Sequence, residues 1–373
     1  MTVWSRGDVI AAMARAIAFL ELNQLPGGEL RVFASDQPDP SVFPTALAAH
    51  SLSFAPGAHM VRERALDFLA AEMDARGLWR HWPREHPHHD ELPPDLDDTS
   101  CASAALERAG RTFPDNRRLL LANRDRRGLF YTWKLTPAQF RHPLALYFFF
   151  RKTSAKPFDV DAVVNANVLF YLVSCQASFR GWIAGAGGPD ASRRDDGDAG
   201  HRRGAATKQT ARRRLQDTHG NWLDTTLGAI HETRPVVDHL LTVLREDRET
   251  SCDKWYDNPF VVWYFFSRAL HDVAPEAGEI IAKKIAAASP ENALESALAA
   301  CSLLYWNRMP DVDSIMNAQL ESGGWPRAAL YHGGRTRRRD GSFAPPHSDT
   351  PRWGSEELTT AFCVEALSRM TRT

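Results

Sequence analysis

Arg15-Ala16-Ile17-Ala18-Phe19-Leu20-Glu21-Leu22-Asn23-Gln24-Leu25-Pro26-Gly27-Gly28-Glu29-Leu30 is echoed further along by Arg64-Ala65-Leu66-Asp67-Phe68-Leu69-Ala70-Ala71-Glu72-Met73-Asp74-Ala75-Arg76-Gly77-Leu78-Trp79. Both stretches put Arg-Ala and Phe-Leu on one helical face. A long residue then precedes Gly by four positions and a bulky residue by six. The second half recurs at Arg124/Gly128/Phe130, Gln216/Gly220/Trp222 and Gln319/Gly323/Trp325. Gly is suited to ending a helix in the left-handed conformation. The bulky residue can then fold back over the helix end while the long polar side chain bridges nearby backbone groups. Self-similarity of this kind is the signature of a fold built from repeated units.

Working outward, two kinds of helical pattern alternate along the chain. Residues 7–22, 60–75, 113–124, 233–246, 276–288 and 310–319 are amphipathic, with a charged face. Residues 43–54, 98–109, 160–174, 258–270, 292–306 and 356–370 are apolar nearly all round. A helix apolar on every side must be buried on every side. Strict alternation of six and six predicts an all-α fold, an (α/α)6 barrel of six inner and six outer helices spanning 1–373 as one domain. The stretch 181–218, rich in Gly, Arg and Asp and without apolar periodicity, reads as a solvated flexible insertion.

Composition narrows the function. With 43% apolar and 24% charged residues the 373-residue chain is an ordinary globular protein. A net charge of −1 argues against a nucleic-acid partner. Five scattered Cys, with no CxxC pair, fit neither a disulfide framework nor a Cys-rich zinc site and suit a reducing compartment. Arg15 and Glu21 interrupt the N-terminal apolar run, so no signal peptide is read there. Val163–Val173, broken by Asn165 and Asn167, and Pro259–Phe266 are both short of the ~20 residues that span a bilayer. A cytoplasmic protein is expected. Leu144–Phe150 is assigned to the core, the alternative being an exposed apolar patch for peripheral membrane contact.

The Gln–Gly–Trp spacing resembles the QW motif of the squalene cyclase and class II terpene cyclase superfamily, closely in the first two repeats and partially in three more. That superfamily is built from (α/α)6 barrels. Protein prenyltransferase β subunits and complement-type barrels share the architecture, so fold alone does not settle function.

The sharpest local feature is Pro93-Pro94-Asp95-Leu96-Asp97-Asp98-Thr99, opening the second inner helix. An N-cap and the helix dipole account for one Asp, or two. Three crowded carboxylates raise each other's cost of ionising, so one can stay protonated near neutral pH and serve as a general acid. The segment is similar to the DxDD motif of class II terpene cyclases. The resemblance implies that Asp97 protonates an alkene or epoxide, with Asp95 and Asp98 orienting it. The implied function is a proton-initiated cyclase or isomerase of a linear isoprenoid. It needs no metal for protonation; Mg2+ would arrive only with a diphosphate substrate.

Such chemistry needs a dry cavity with aromatic walls. The candidates are Phe260, Trp263, Tyr264, Tyr305 and Trp306 on inner helices and Trp255, Trp325 and Trp353 in loops. Inner helices all run the same way, so Asp97/Asp98, Asp159/Asp161, Asp257, Glu291 and Glu356/Glu357 ring one mouth. Glu356-Glu357 is the second acidic pair of interest. Arg335, Arg337, Arg338 and Arg339 form a loop that could hold a diphosphate, or a solvated loop.

Other chemistries fit less well. Asp95-x-Asp97-x-Thr99 lacks the preceding β-strand of a haloacid dehalogenase. Asp97-Asp98 lacks the later Asp of a magnesium-binding DDxxD. Leu358-Thr359-Thr360 lacks the His of a prenyltransferase zinc site, and His81, His86, His88 and His89 form a weak metal signal. Two alternatives stay open. One is an (α/α)6 glycosidase or polysaccharide lyase pairing Asp97 with Glu356 or Asp257. The other is a non-catalytic barrel binding a lipid or a partner. Many class II cyclases enclose their site between two barrels, so a homo-oligomer is one way for a single barrel to complete a cavity.

Overall fold

The computed structural model describes residues 4–34, 39, 42–135, 143–174 and 232–372. The expected insertion at 181–218, Cys175 and the Gln216/Gly220/Trp222 repeat lie outside the described residues. Helix α1 (Arg6–Asn23) begins at a reciprocal cap between Ser5 and Asp8. There follow α2 (Val42–Leu52), α3 (His59–Glu72), α4 (Leu96–Arg108), α5 (Arg117–Leu121), α6 (Pro143–Lys152), α7 (Ala162–Leu169), α8 (Arg234–Arg245), α9 (Pro259–Leu270), α10 (Glu276–Ala287), α11 (Ala293–Tyr305), α12 (Asp313–Asn317) and α13 (Glu356–Met370).

The apolar helices form a closed ring. Helices α2, α4, α7, α9, α11 and α13 each pack on the next, and α13 returns to α2. All-round burial is the reason for their composition: every residue of α2 and of α7 is buried. Around them, α1 packs on α13 and α3, α8 on α7 and α10, and α12 on α11. The alternating inner and outer layers expected from the sequence are thus present. Two outer helices are shorter than their periodicity suggested. The 113–124 stretch yields only Arg117–Leu121, because Asn116 turns its amide onto the Gly77 carbonyl and Ser103. The 310–319 stretch yields only Asp313–Asn317. The third inner helix passes into a π-helical turn over Phe170–Ser174.

The repeated spacing has a structural role. Gln24 Nε2 donates to the carbonyls of Gly28 (2.6 Å) and Val61 (2.9 Å), and Gln319 Nε2 to those of Gly323 and Ala12 (2.8 Å each). Gly28, Gly77, Gly128 and Gly323 all have positive φ. A Cβ on Gly323 would lie 2.6 Å from the Arg15 carbonyl, so the turn seats directly on the neighbouring outer helix. The bulky residue is then tied inward. The backbone N–H groups of Leu30, Trp79, Phe130 and Trp325 donate to Thr45, Thr99, Asn165 and Thr360, each in the first turn or so of an inner helix. One hydrogen-bond rule therefore repeats around the ring.

Helix α6 departs from expectation. Leu144, Tyr147 and Phe148 are exposed, which corrects their assignment to the core. The helix lies outside the ring, beside the His89–Glu91 turn. A two-residue antiparallel ribbon, β1 (Tyr331–His332) with β2 (Arg352–Trp353), completes the same end of the barrel. No described helix is long and apolar enough to cross a membrane.

Candidate active site

Pro93 and Pro94 lead into the N-terminus of α4, where Asp95 is the N-cap and accepts the Asp98 N–H at 2.8 Å. That cap fixes where the next turn points. Asp97 faces a cavity of about 220 Å³ at the N-terminal mouth of the ring. Its Oδ1 accepts from Asn167 Nδ2 at 2.5 Å and its Oδ2 from the Tyr256 hydroxyl at 2.7 Å. Asn167 sits on α7, and its own Oδ1 accepts from Arg268 Nη2. Arg268 stands in the last turn of α9, 1% exposed, stacked 4.5 Å from the Phe170 ring centroid. Among the described residues no carboxylate lies within ion-pair distance of it. Its charge therefore acts on Asp97 through the Asn167 amide, whose orientation it dictates.

These contacts set the protonation of the triad. Burial, then the neighbouring Asp95, pushes Asp97 up to about 7, against the donors Asn167 and Tyr256 and the Arg268 charge. Burial also raises Asp95 and, with Asp95 beside it, holds Asp98 well above the carboxylate range. The Tyr256 hydroxyl is raised by burial and then by Asp97, so it remains a donor. Asp97 is thus a carboxyl that titrates near neutral pH. The carboxylate left behind has two donors already in place.

The walls around it are aromatic: Phe43, Trp82, Trp133, Phe149, Trp255, Tyr256, Tyr331 and Trp353 all line the cavity. Tyr331 and Trp353 stack with centroids 5.5 Å apart, and Trp133 meets Trp255 edge-on at 6.0 Å. The loop carrying Trp255 and Tyr256 is held by a second buried acidic group. Asp161 accepts from Thr132 Oγ1 at 2.6 Å and from Trp255 Nε1 at 3.2 Å. Asp253 accepts the backbone N–H groups of Val163 and Trp255, both at 2.8 Å. These carboxylates fasten the mouth and do not face the cavity.

Of the residues singled out from the sequence, His81, Asp95, Asp97, Asp98, Trp255 and Trp353 meet at the cavity. Phe260, Trp263, Tyr264, Trp325, Glu356 and Glu357 do not line it. Trp263 turns away and donates to Glu249 at 3.0 Å, packing edge-on against Phe260. Tyr264 points deeper into the ring and donates to Glu365 at 3.0 Å. Trp325 is a repeat anchor, its Nε1 on the Ile315 carbonyl at 2.6 Å. Glu357 pairs with Arg31, and Glu356 is half-buried beside it. Asp257 is held by Arg352 at 3.1 Å, so neither partner suggested for a glycosidase pair shares the cavity wall with Asp97. Arg335 is buried and donates to the carbonyls of Thr250, Asp253 and Tyr256, while Arg337 closes its own hairpin onto Gly341. No cluster of three or more metal-binding side chains occurs among the described residues.

Sequence reasoning missed Asn167, Arg268, Tyr256 and Trp133. Two of them left a signal: Asn167 and Arg268 are polar residues inside helices otherwise apolar all round, where an unexplained polar side chain marks a buried task.

Comparisons with known proteins agree on architecture. No family model matches the chain, and no curated protein matches it in sequence. Among solved structures, the type II terpene cyclase MstE from Scytonema superposes with a TM-score of 0.62 at 13% identity, covering 99% of each chain. Its D109A variant, in complex with the product merosterolic acid A, gives 0.60 at 12% identity over 98% of each chain. A protein from Actinoplanes gives 0.57 at 16% identity, covering 98% of this chain and 100% of the other. The fold is that of these helical proteins.

Proposed function

We propose that this protein is a proton-initiated terpene cyclase or isomerase acting on a linear isoprenoid, with Asp97 as the general acid. The observation that carries the reading is a carboxyl held near pKa 7, set into an aromatic cavity, with a buried guanidinium behind it. The fold shared with a cyclase that has been captured with its product supports it.

In the proposed reaction the Asp97 proton adds to a terminal alkene carbon, or to an epoxide oxygen, leaving a tertiary carbocation. For the alkene, the π electrons form the new C–H bond; for the epoxide, an oxygen lone pair forms the O–H bond and the tertiary C–O bond breaks, its electron pair going to oxygen. Asn167 and Tyr256 receive the new carboxylate charge, and Arg268 stabilises it through Asn167. Aromatic faces stabilise the migrating cation without adding to it. Loss of a proton from carbon ends the cascade. Asp95 caps the helix that aims Asp97, and Asp98 beside it is raised by burial and by Asp95. We propose that one barrel suffices, because α2, α4, α6, α7 and the loops before α9 and α13 all contribute wall. The protonation itself uses no metal; a diphosphate substrate would bring Mg2+ with it. The exposed face of α6, whose Phe149 lines the cavity, supports delivery of an apolar substrate from a lipid surface.

The test is product analysis by gas chromatography–mass spectrometry. Wild type and Asp97→Asn meet linear C10 to C30 isoprenoids, as diphosphates and as neutral forms, with and without Mg2+. A cyclic or rearranged product from wild type alone supports the assignment. Equal product from both proteins removes Asp97 as the acid, and no conversion of any substrate removes the cyclase reading.

A further inference from the structure

Two residues that line the cavity each carry a buried ring N–H with no acceptor among the described residues. His332, on β1, is 1% exposed and lines the cavity. Its Nδ1 accepts the backbone N–H of Gly334 at 3.2 Å, so that nitrogen carries a lone pair. Burial pushes the ring down to about 4; Asp257 opposes this, and Arg335 and Arg352 add to it. The imidazole is therefore neutral at pH 7, with its single proton on Nε2. That N–H has no hydrogen-bond acceptor among the described residues. The Asp257 carboxylate is 3.9 Å away, beyond hydrogen-bond reach, and is itself held by Arg352. The Nε1–H of Trp133, 6% exposed on the same cavity, likewise has no acceptor among the described residues. The two residues are neighbours through Trp255: Trp133 packs edge-on to its ring, and the His332 backbone N–H donates to its carbonyl at 3.0 Å.

A buried donor left unsatisfied is costly, and two on one wall call for a ligand that brings the acceptor. Both donors are neutral. The cations around them are engaged: Lys254 by Asp159 and the Ser154 carbonyl, Arg335 by three backbone carbonyls, and Arg352, across the ribbon from His332, by Asp257. A diphosphate would meet neither matching charge nor enough donors here, whereas an uncharged oxygen meets both N–H groups on their own terms.

We propose that the cavity takes an isoprenoid whose polar end carries an uncharged carbonyl oxygen, as an ester, ketone or amide, accepted by the His332 Nε2–H and Trp133 Nε1–H wall. This rests on the cyclase reading for the isoprenoid tail, and on the two donors alone for the head.

The experiment measures binding, by tryptophan fluorescence and equilibrium dialysis, of three C15 probes: methyl farnesoate, the matching hydrocarbon without its ester, and farnesyl diphosphate. Wild type should bind the ester about tenfold more tightly than the hydrocarbon, and more tightly than the diphosphate. His332→Phe and Trp133→Phe should each shrink the ratio of ester to hydrocarbon affinity, whatever each does to the hydrocarbon alone. His332→Gln, which keeps an N–H donor, should recover part of it; thermal melts confirm that each variant is folded. Equal ester preference in wild type and both Phe variants, or tightest binding of the diphosphate, overturns the proposal. Asp97→Asn separates the two readings. If it and wild type both show the ester preference but no probe is converted, the cyclase reading fails and this one stands. If wild type converts all heads equally, this one fails and the cyclase reading stands. If no probe binds, both fail.

Discussion

The two ends of the helix ring carry opposite kinds of ionisable side chain. At the N-terminal mouth sit the acids Asp97, Asp98, Asp161 and Asp253; in the last turns at the far end sit the bases Arg108, Arg268 and Arg369. Helix dipoles favour both placements. The difference lies in compensation. At the far end Arg369 pairs with Glu365 at 2.9 Å and stacks 3.9 Å from the Tyr305 centroid, while Glu365 also accepts from Ser51 and Tyr264. That end is an anchor. At the mouth Asp97 has donors but no direct cation, and another carboxylate beside it. A charge becomes chemistry where the fold declines to neutralise it. Arg268 joins the two ends, being rooted at one and felt at the other.

Breaking that comparison begins with Asp97. Asp97→Asn should lower product formation by about 10²–10⁴-fold, read by chromatography, and leave the protein folded. Arg268→Gln comes next. Losing the cation weakens the acid by raising Asp97 further, so turnover should drop by roughly tenfold per pKa unit and the alkaline limb of the pH–rate profile should move to higher pH. An unmoved limb would show that Arg268 only fills space. In wild type, activity should fall as pH rises through about 7, because the donor loses its proton. Stability should follow the same sign. A carboxyl raised on folding contributes fully below the ordinary carboxylate range and loses that contribution as pH climbs through its folded value. Asp97→Asn should therefore flatten the decline in melting temperature between about pH 4 and 7.

Glu365→Gln sharpens the contrast from the other end. Leaving the buried part of Arg369 unpaired should cost about 3 kcal/mol in denaturant unfolding, with product identity unchanged. The smallest effect on chemistry is expected at α6. Leu144→Ser with Phe148→Ser should weaken sedimentation with neutral phospholipid vesicles by about tenfold. Turnover of detergent-dispersed substrate should stay as it was.

Much of this was legible before any coordinates. Six apolar helices alternating with six amphipathic ones announce an inner and an outer layer, since a helix without a polar face has no other place to go. Asp95-Leu96-Asp97-Asp98 announces crowded carboxylates at a helix start. The aromatic walls were less readable. Phe260, Trp263 and Tyr264 share a helix, yet point to different surroundings, because successive residues turn by about 100° and only packing says which direction is inward. Trp133 and Tyr256 come from irregular segments, where no periodicity exists to assign a face. Leu144, Tyr147 and Phe148 read as core by composition and stand exposed, because α6 lies outside the ring of inner helices.

The amino-acid sequence by itself determined the layers, the repeat turns and the position of the carboxylate cluster. Those follow from local rules: 3.6-residue periodicity, glycine at positive φ and capping chemistry. Only the tertiary structure decided what the acid can do. Asn167, Tyr256 and Arg268 lie 70 or more positions from Asp97 along the chain and reach it because the ring closes. Their effect is electrostatic and depends on burial, and neither burial nor distance is a property of a linear chain.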